Sequence, residues 1–208
     1  MVTLVANKPK HRDFKIPPLT PQTISTKLTN PKWMRFSFIE FCVRENGWTR
    51  GAELGVLDGR TIGHLLKTCR KLHMIGVDLW GPQPDNPGPE GYEHYDHEGH
   101  YIDTLCKCRP HRGRYQLIRG RTVEVAKSIP DGSLDFVFID ADHSYEGCKN
   151  DIEAWRPKVK PGGWLMGHDI NWPGVRKAVD ELVPDYEIGP NVVWFAPINP
   201  RPNWCAWT

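Results

Sequence analysis

Apolar and polar positions along the chain alternate between short, nearly continuous apolar runs and longer stretches with a helical stripe. GAELGV (51–56), HMIGVDL (73–79), RYQLIRG (114–120), LDFVFID (134–140) and GGWLMGHD (162–169) are the runs. Their length and continuity predict strands covered on both faces. TIGHLLKTCRKL (61–72) predicts a helix with Ile62, Leu65, Leu66 and Cys69 on one face. YIDTLCKCRPH (101–111) reads as helical up to Pro110, and TVEVAKSI (122–129) as a further helix. Tyr145, Cys148, Ile152 and Trp155 form another amphipathic stripe, and VRKAVDELV (175–183) another, with Val175, Val179 and Leu182 inward. Upstream, KWMRFSFIEFCVRE (32–45) predicts a helix ended by Asn46-Gly47. YEIG (186–189) and VVWFAP (192–197) face each other across Pro190-Asn191 as a closing hairpin.

Strand and helix in strict alternation predict an α/β fold: a doubly wound, mostly parallel seven-stranded sheet with an antiparallel C-terminal strand. Residues 1–31, rich in Pro, Lys and Thr, predict an extended or partly disordered arm. Residues 32–208 then form a single domain, with a lid-like insertion over 81–111 whose first part, 81–100, carries too many Pro and Gly for a regular element.

Composition narrows the function classes. The 208 residues suffice for one full core, and a formal net charge of +2 gives no electrostatic argument for nucleic acid or an anionic membrane. No apolar run is long enough to span a bilayer, and the N-terminus lacks the features of a signal peptide, so a cytoplasmic protein is expected. The six cysteines are irregularly spaced and read as reduced thiols. His94, His97, His100, Cys106, Cys108 and His111 match no structural zinc spacing.

In a parallel sheet, ligands bind beyond the carboxyl ends of the strands, so chemistry is expected there. The first strand ends in Glu53-Leu54-Gly55-Val56-Leu57-Asp58-Gly59, an E-x-G-x-x-x-G turn ahead of a helix. Glycines let a backbone approach a ligand, and a helix N-terminus offers free N–H groups to an anion; such glycines are also ordinary turn chemistry. The second strand ends at Asp78, placed for ribose hydroxyls or as a turn residue, and Trp80 after it serves an adenine face or plain packing. The fourth ends in Asp140, Asp142 and His143, the fifth in His168-Asp169. Asp140, His168 and Asp169 would converge on one divalent cation if their strands are neighbours. Asp142 is open between orienting His143, serving the metal and forming a turn.

ELGVLDG (53–59), VDLW (77–80), DFVFIDADHSYEGCKNDIEAW (135–155) and PGGWLMGHD (161–169) together resemble the class I S-adenosylmethionine-dependent methyltransferases. More narrowly they resemble the metal-dependent small-molecule O-methyltransferase branch that includes macrocin O-methyltransferase and cephalosporin hydroxylase-like proteins. The resemblance implies a Rossmann-like fold over residues 51–197. It implies that Glu53, Gly55 and Gly59 hold the amino-acid end of S-adenosylmethionine, that Asp78 holds its ribose, and that Gly120, Arg121 and Thr122 line the adenine. It places Asp140, His168 and Asp169 as ligands of a divalent cation, Mg²⁺, and His143 as the general base. At His168 the family more often carries a carboxylate.

The activity so implied is O-methylation of a hydroxyl on a small-molecule acceptor such as a sugar or another diol. No nucleic-acid or membrane partner is expected, and a homo-oligomer is left open. Two rivals stand beside it. An NAD-dependent oxidoreductase would use a similar sheet and Asp78 but favours a tighter GxGxxG turn, absent here. A non-catalytic small-molecule-binding protein would have no need of Asp140, His143 and Asp169.

Overall fold

The computed structural model describes residues 34–82 and 95–198. The arm over 1–31, His94 and most of the Pro- and Gly-rich run lie outside the described residues. The elements follow the predicted order: α1 (Arg35–Asn46), β1 (Arg50–Leu54), α2 (Arg60–Thr68), β2 (His73–Asp78), α3 (His97–Cys108), β3 (Tyr115–Arg119), α4 (Thr122–Ala126), β4 (Leu134–Ile139), α5 (Tyr145–Trp155), β5 (Val159–Gly167), α6 (Pro173–Leu182), β6 (Glu187–Ile188) and β7 (Trp194–Pro197). The sheet has seven strands in the order β3-β2-β1-β4-β5-β7-β6. The first five run parallel, and β7 runs antiparallel to both β5 and β6.

The central strands are nearly continuously apolar because both faces are covered. In β4, Phe136 and Phe138 point to the layer of α1, α2 and α3, with Phe38, Leu65, Leu66 and Trp164. Val137 and Ile139 point to the opposite layer, with Ile152, Trp155, Val175 and Val179 of α5 and α6. Burial of such side chains contributes about 25 cal/mol per Å² of apolar surface, which makes these two layers the main source of stability. The five described cysteines are free, and four of them are buried as small apolar groups. Among the described residues no helix is long and apolar enough to cross a membrane.

Helices α2 and α4 end at Thr68 and Ala126, short of the predicted 72 and 129, and two element starts also depart from the sequence pattern. Helix α3 begins at His97, inside the stretch read as loop, because Asp96 caps it by accepting a hydrogen bond from the Gly99 N–H at 2.9 Å. Strand β5 begins at Val159, upstream of the glycine pair, because Val159 pairs with Leu134 across a register irregularity.

The chain order reverses between β1 and β4, the position where such sheets open a crevice. Register brings the chemistry of the strand ends to that edge. Leu54 pairs with Ile139, and Ile139 with Gly167, so Gly55, Asp140 and His168 emerge side by side. Backbone bonds from Asp140 N–H to Leu54 and from His168 N–H to Ile139 carry the ladder one step past the strands.

Candidate functional site

The turn after β1 is held by protein groups on every side. Asp78 Oδ2 accepts the Val56 and Leu57 N–H groups, each at 2.8 Å, and Oδ1 accepts the Trp80 N–H at 2.7 Å. The Leu57 carbonyl accepts from Trp80 Nε1 at 2.7 Å and from Thr104 Oγ1 of α3 at 2.9 Å. Lys107 of α3 donates to the Asp58 carbonyl at 2.6 Å. Helix α3 therefore braces the glycine turn from outside. Trp80, 4 % exposed and packed on Tyr101, belongs to the core; of its two roles, packing is the one observed.

The two glycines of the turn are required by the fold itself. Both have positive φ, and a Cβ at Gly55 would lie 2.0 Å from the Asp140 carbonyl oxygen. At Gly59 it would lie 2.9 Å from the Thr104 Cα. The backbone that approaches these glycines is the protein's own. Leu57, Trp80 and Asp169, all at the carboxyl edge, are non-glycine residues with φ of 52°, 39° and 55°. Such conformations persist only where surrounding contacts over-determine them, and they concentrate at functional sites.

Glu53, near the end of β1 and against the first turn of α2, is 2 % exposed, and its Oε2 has no hydrogen-bond partner among the described residues. Burial pushes its carboxyl well above the usual range and the nearby Asp140 adds to the rise, while Arg35, the Thr61 hydroxyl and the Ile62 N–H pull it down. An unmatched buried acceptor of this kind suits a cationic group.

One strand away, Asp140, His143, His168 and Asp169 converge. One ligand-type atom from each of Asp140, His143 and Asp169 lies within 4.8 Å of the others. His143 Nε2 is 2.9 Å from Asp169 Oδ2 and 3.8 Å from Asp140 Oδ1. His168 Nδ1 is 3.1 Å from Asp169 Oδ2 and 3.6 Å from Asp140 Oδ1, and its Nε2 is buried without a hydrogen-bond partner among the described residues. His143 thus has the same two carboxylate neighbours as His168. Burial works against the charge on His143, but Asp140 and Asp169 outweigh it and hold its pKa up, to about 9. His168 is raised for the same reasons. Burial would raise the Asp169 carboxyl, yet both imidazoles hold it far below the usual range. Two carboxylates and imidazole nitrogens at these separations form a mixed oxygen–nitrogen chelating set that could hold a divalent cation.

Asp142 stands apart from this cluster. Its Oδ1 accepts the Ser144 N–H at 2.8 Å, and Ser144 in turn caps α5 by accepting from the Gly147 N–H at 3.0 Å. Asp142 is a turn residue, the third of the roles left open for it. The close approach of Gly174 in α6 to the His143 carbonyl fixes the His143 backbone from the other side, and the half-exposed Trp172 ring lies 5.0 Å from the imidazole.

Residues 52–170, more than half of the chain, match the family described as a methyltransferase domain. The chain belongs to this methyltransferase-domain family. Protein R132 of Acanthamoeba polyphaga mimivirus is 24 % identical over 148 residues, covering 66 % of this chain and 60 % of that one, so the chain spans less than two thirds of the curated relative it matches. A Staphylococcus aureus protein assigned as a caffeoyl-CoA O-methyltransferase shares the fold with a TM-score of 0.58 at 16 % identity, over 85 % of this chain and 88 % of that one. An O-methyltransferase from Bacillus cereus, in complex with SAH, shares it with a TM-score of 0.56 at 14 % identity, over 83 % and 86 %.

Within this methyltransferase domain the segment after β3 is tied inward. The Gly120 N–H donates to the Asp78 carbonyl, Arg121 precedes α4 as its cap, and the Thr122 hydroxyl donates to Asp151 of α5 in a short hydrogen bond. Asp151 is 2 % exposed; it lies within the 135–155 motif, but the sequence reading gave it no role. Burial pushes its carboxyl up to about 7, with Asp142 adding to the rise and Thr122 opposing it. The folded chain therefore holds this proton more tightly than the unfolded one between its ordinary value of 3.8 and about 7. Its contribution is fully present below that window and is lost as pH rises through it. Thermal midpoints followed from pH 4 to pH 8 are expected to fall less in Asp151→Asn than in the wild type. Identical profiles would remove Asp151 from the account.

Arg35 is the site residue that sequence reasoning missed. It is the first residue of α1, and its Nε lies 3.4 Å from Asp140 Oδ2 and 3.3 Å from Thr61 Oγ1. Its only local signal is a cation at the start of an apolar helix, which is too common to single it out.

Proposed function

We propose that the chain is an S-adenosylmethionine-dependent methyltransferase that methylates a hydroxyl of a small molecule, assisted by a divalent cation. The observation that carries this reading is the juxtaposition at one sheet edge of the unmatched Glu53 oxygen and the Asp140–His143–His168–Asp169 cluster. The first is a receptor for a cationic amino-acid end, the second a centre for handling a proton on an oxygen nucleophile. The family and the SAH held by the Bacillus cereus neighbour agree with this cofactor.

S-adenosylmethionine supplies a methyl group on a sulfonium sulfur, which an acceptor oxygen takes in a single displacement. The protein has to align the two and accept the proton that the hydroxyl loses. Asp140 and Asp169, with His168 or His143, would hold the cation, which lowers the pKa of a bound hydroxyl and fixes its position. With only protein groups around it, His143 keeps its proton at neutral pH. A cation held by its two carboxylate neighbours would draw on their charge and lower that hold, which would free the ring to act as a base. Glu53 receives the cofactor's ammonium, and the free lone pair on Asp78 Oδ1 is the acceptor left for its ribose. Trp172, beside His143, forms a wall on which an acceptor ring can pack. A vicinal diol, as in a sugar or a catechol, fits a centre with a chelated cation. This is the chemistry of the metal-dependent sugar O-methyltransferase branch that the strand-end motifs resemble.

Calorimetric titration with S-adenosylhomocysteine and with NAD⁺ separates the main rival: only the former is expected to bind. Methyl transfer from labelled S-adenosylmethionine to catechol and sugar diols is then expected with Mg²⁺ and to be lost in EDTA. Binding of NAD⁺ alone would sink the reading, and activity unaffected by EDTA would remove the cation from it.

A further inference from the structure

A line of polar contacts runs from α1 to the buried end of β1. Arg35 Nε reaches Thr61 Oγ1 at 3.3 Å, and the buried Thr61 hydroxyl bonds onward to Glu53, whose Oε2 is left without a partner. An unmatched buried acceptor thus lies one hydroxyl away from a guanidinium whose side chain is 29 % exposed. Nε accounts for both contacts of the Arg35 head that the described residues show, and the guanidinium carries further N–H donors in a fixed fork. The side chain is carried by a rigid support. Phe38 and Ile39 of α1 are buried in the core, and the Arg35 N–H is tied to Asn191 Oδ1 at 3.2 Å.

An acceptor in need of a cation, flanked by a cation with donors to spare, is the electrostatic complement of a zwitterionic α-amino acid. We propose that Arg35 binds the α-carboxylate of the cofactor's amino-acid end while Glu53 receives its ammonium. The inference rests on the cofactor reading above and extends it to a residue outside the matched family segment, which starts at residue 52. The planar fork of arginine matches a carboxylate, which a lysine at the same place would meet only as a point charge. The competing role for Arg35 is to neutralise Asp140, which its 3.4 Å contact would also serve.

The test is calorimetry on the full chain, without added metal, using S-adenosylhomocysteine and its decarboxylated analogue, which keeps the ammonium and lacks the carboxylate. Arg35→Ala is expected to weaken S-adenosylhomocysteine by about tenfold to a hundredfold, the range for a charge-assisted hydrogen bond, and to leave the analogue within about threefold. Arg35→Lys, which keeps the charge and disturbs the fold least, is expected to show a smaller loss confined to the same ligand. Equal losses for both ligands in either variant would overturn the assignment and leave Arg35 as the partner of Asp140. If neither ligand binds the wild type, the cofactor reading itself fails and this inference with it.

Discussion

Replacing His143 with alanine is expected to lower methyl transfer by about a hundredfold to ten-thousandfold while S-adenosylhomocysteine affinity stays within about twofold. The imidazole lies beside Asp140 and Asp169 and against Trp172. Under the proposed mechanism, removing it takes away the group that would accept the hydroxyl proton and leaves Glu53 and Asp78 untouched. Two measurements read the result: initial rates at saturating cofactor, and the affinity for Mn²⁺ as a probe of the cation site. A rate loss with unchanged Mn²⁺ affinity assigns the ring as a base. A parallel loss of Mn²⁺ affinity assigns it as a ligand, the role its distances to two carboxylates also allow. Unchanged turnover would remove His143 from the chemistry.

Gly55→Ala is expected to be the most damaging single substitution for stability. Its Cβ would sit 2.0 Å from the Asp140 carbonyl oxygen, a distance at which backbone must move, and φ at this position is +80°. Each effect alone is destabilising, and together they place the variant in the range above about 4 kcal/mol that signals a specific structural cause. For a chain of this length that lowers the midpoint by on the order of 10 °C. Gly113→Ala is the control, since φ there is +82° and a Cβ meets nothing within 4 Å. It isolates the cost of the left-handed backbone. If the two variants melt together, the close approach of the β1 turn to Asp140 does not exist as described. Because that approach sets the position of Asp140, the same variant is expected to weaken cation binding.

The alternation of elements was legible because strands covered on both faces read as nearly continuous apolar runs, as in Phe136–Ile139, and covering helices must carry one apolar stripe, as in α5. Boundaries were less legible where local signals competed. The density of Pro and Gly over 81–100 hid the start of α3, which depends on one capping carboxylate, Asp96. The strand ends were readable as chemistry, since runs closing in Asp78, Asp140 and His168-Asp169 are unusual, but their allegiances were not. Asp78 carries the glycine turn on its carboxylate, Trp80 packs in the core, and Asp142 serves a turn. Each of those outcomes depends on neighbours from other segments.

By itself the sequence determined the element order, the parallel sheet, the edge at which chemistry collects and the residue types present there. These follow from periodicity and from where apolar runs stop, which are properties of neighbouring residues. Only the tertiary structure decided which of those residues meet. Strand order and register, with Leu54 opposite Ile139 and Ile139 opposite Gly167, set His143 and His168 on the same two carboxylates and brought Arg35 from a separate helix to Asp140. Such contacts join positions far apart in the chain, and their energy depends on burial and distance, which no local pattern encodes.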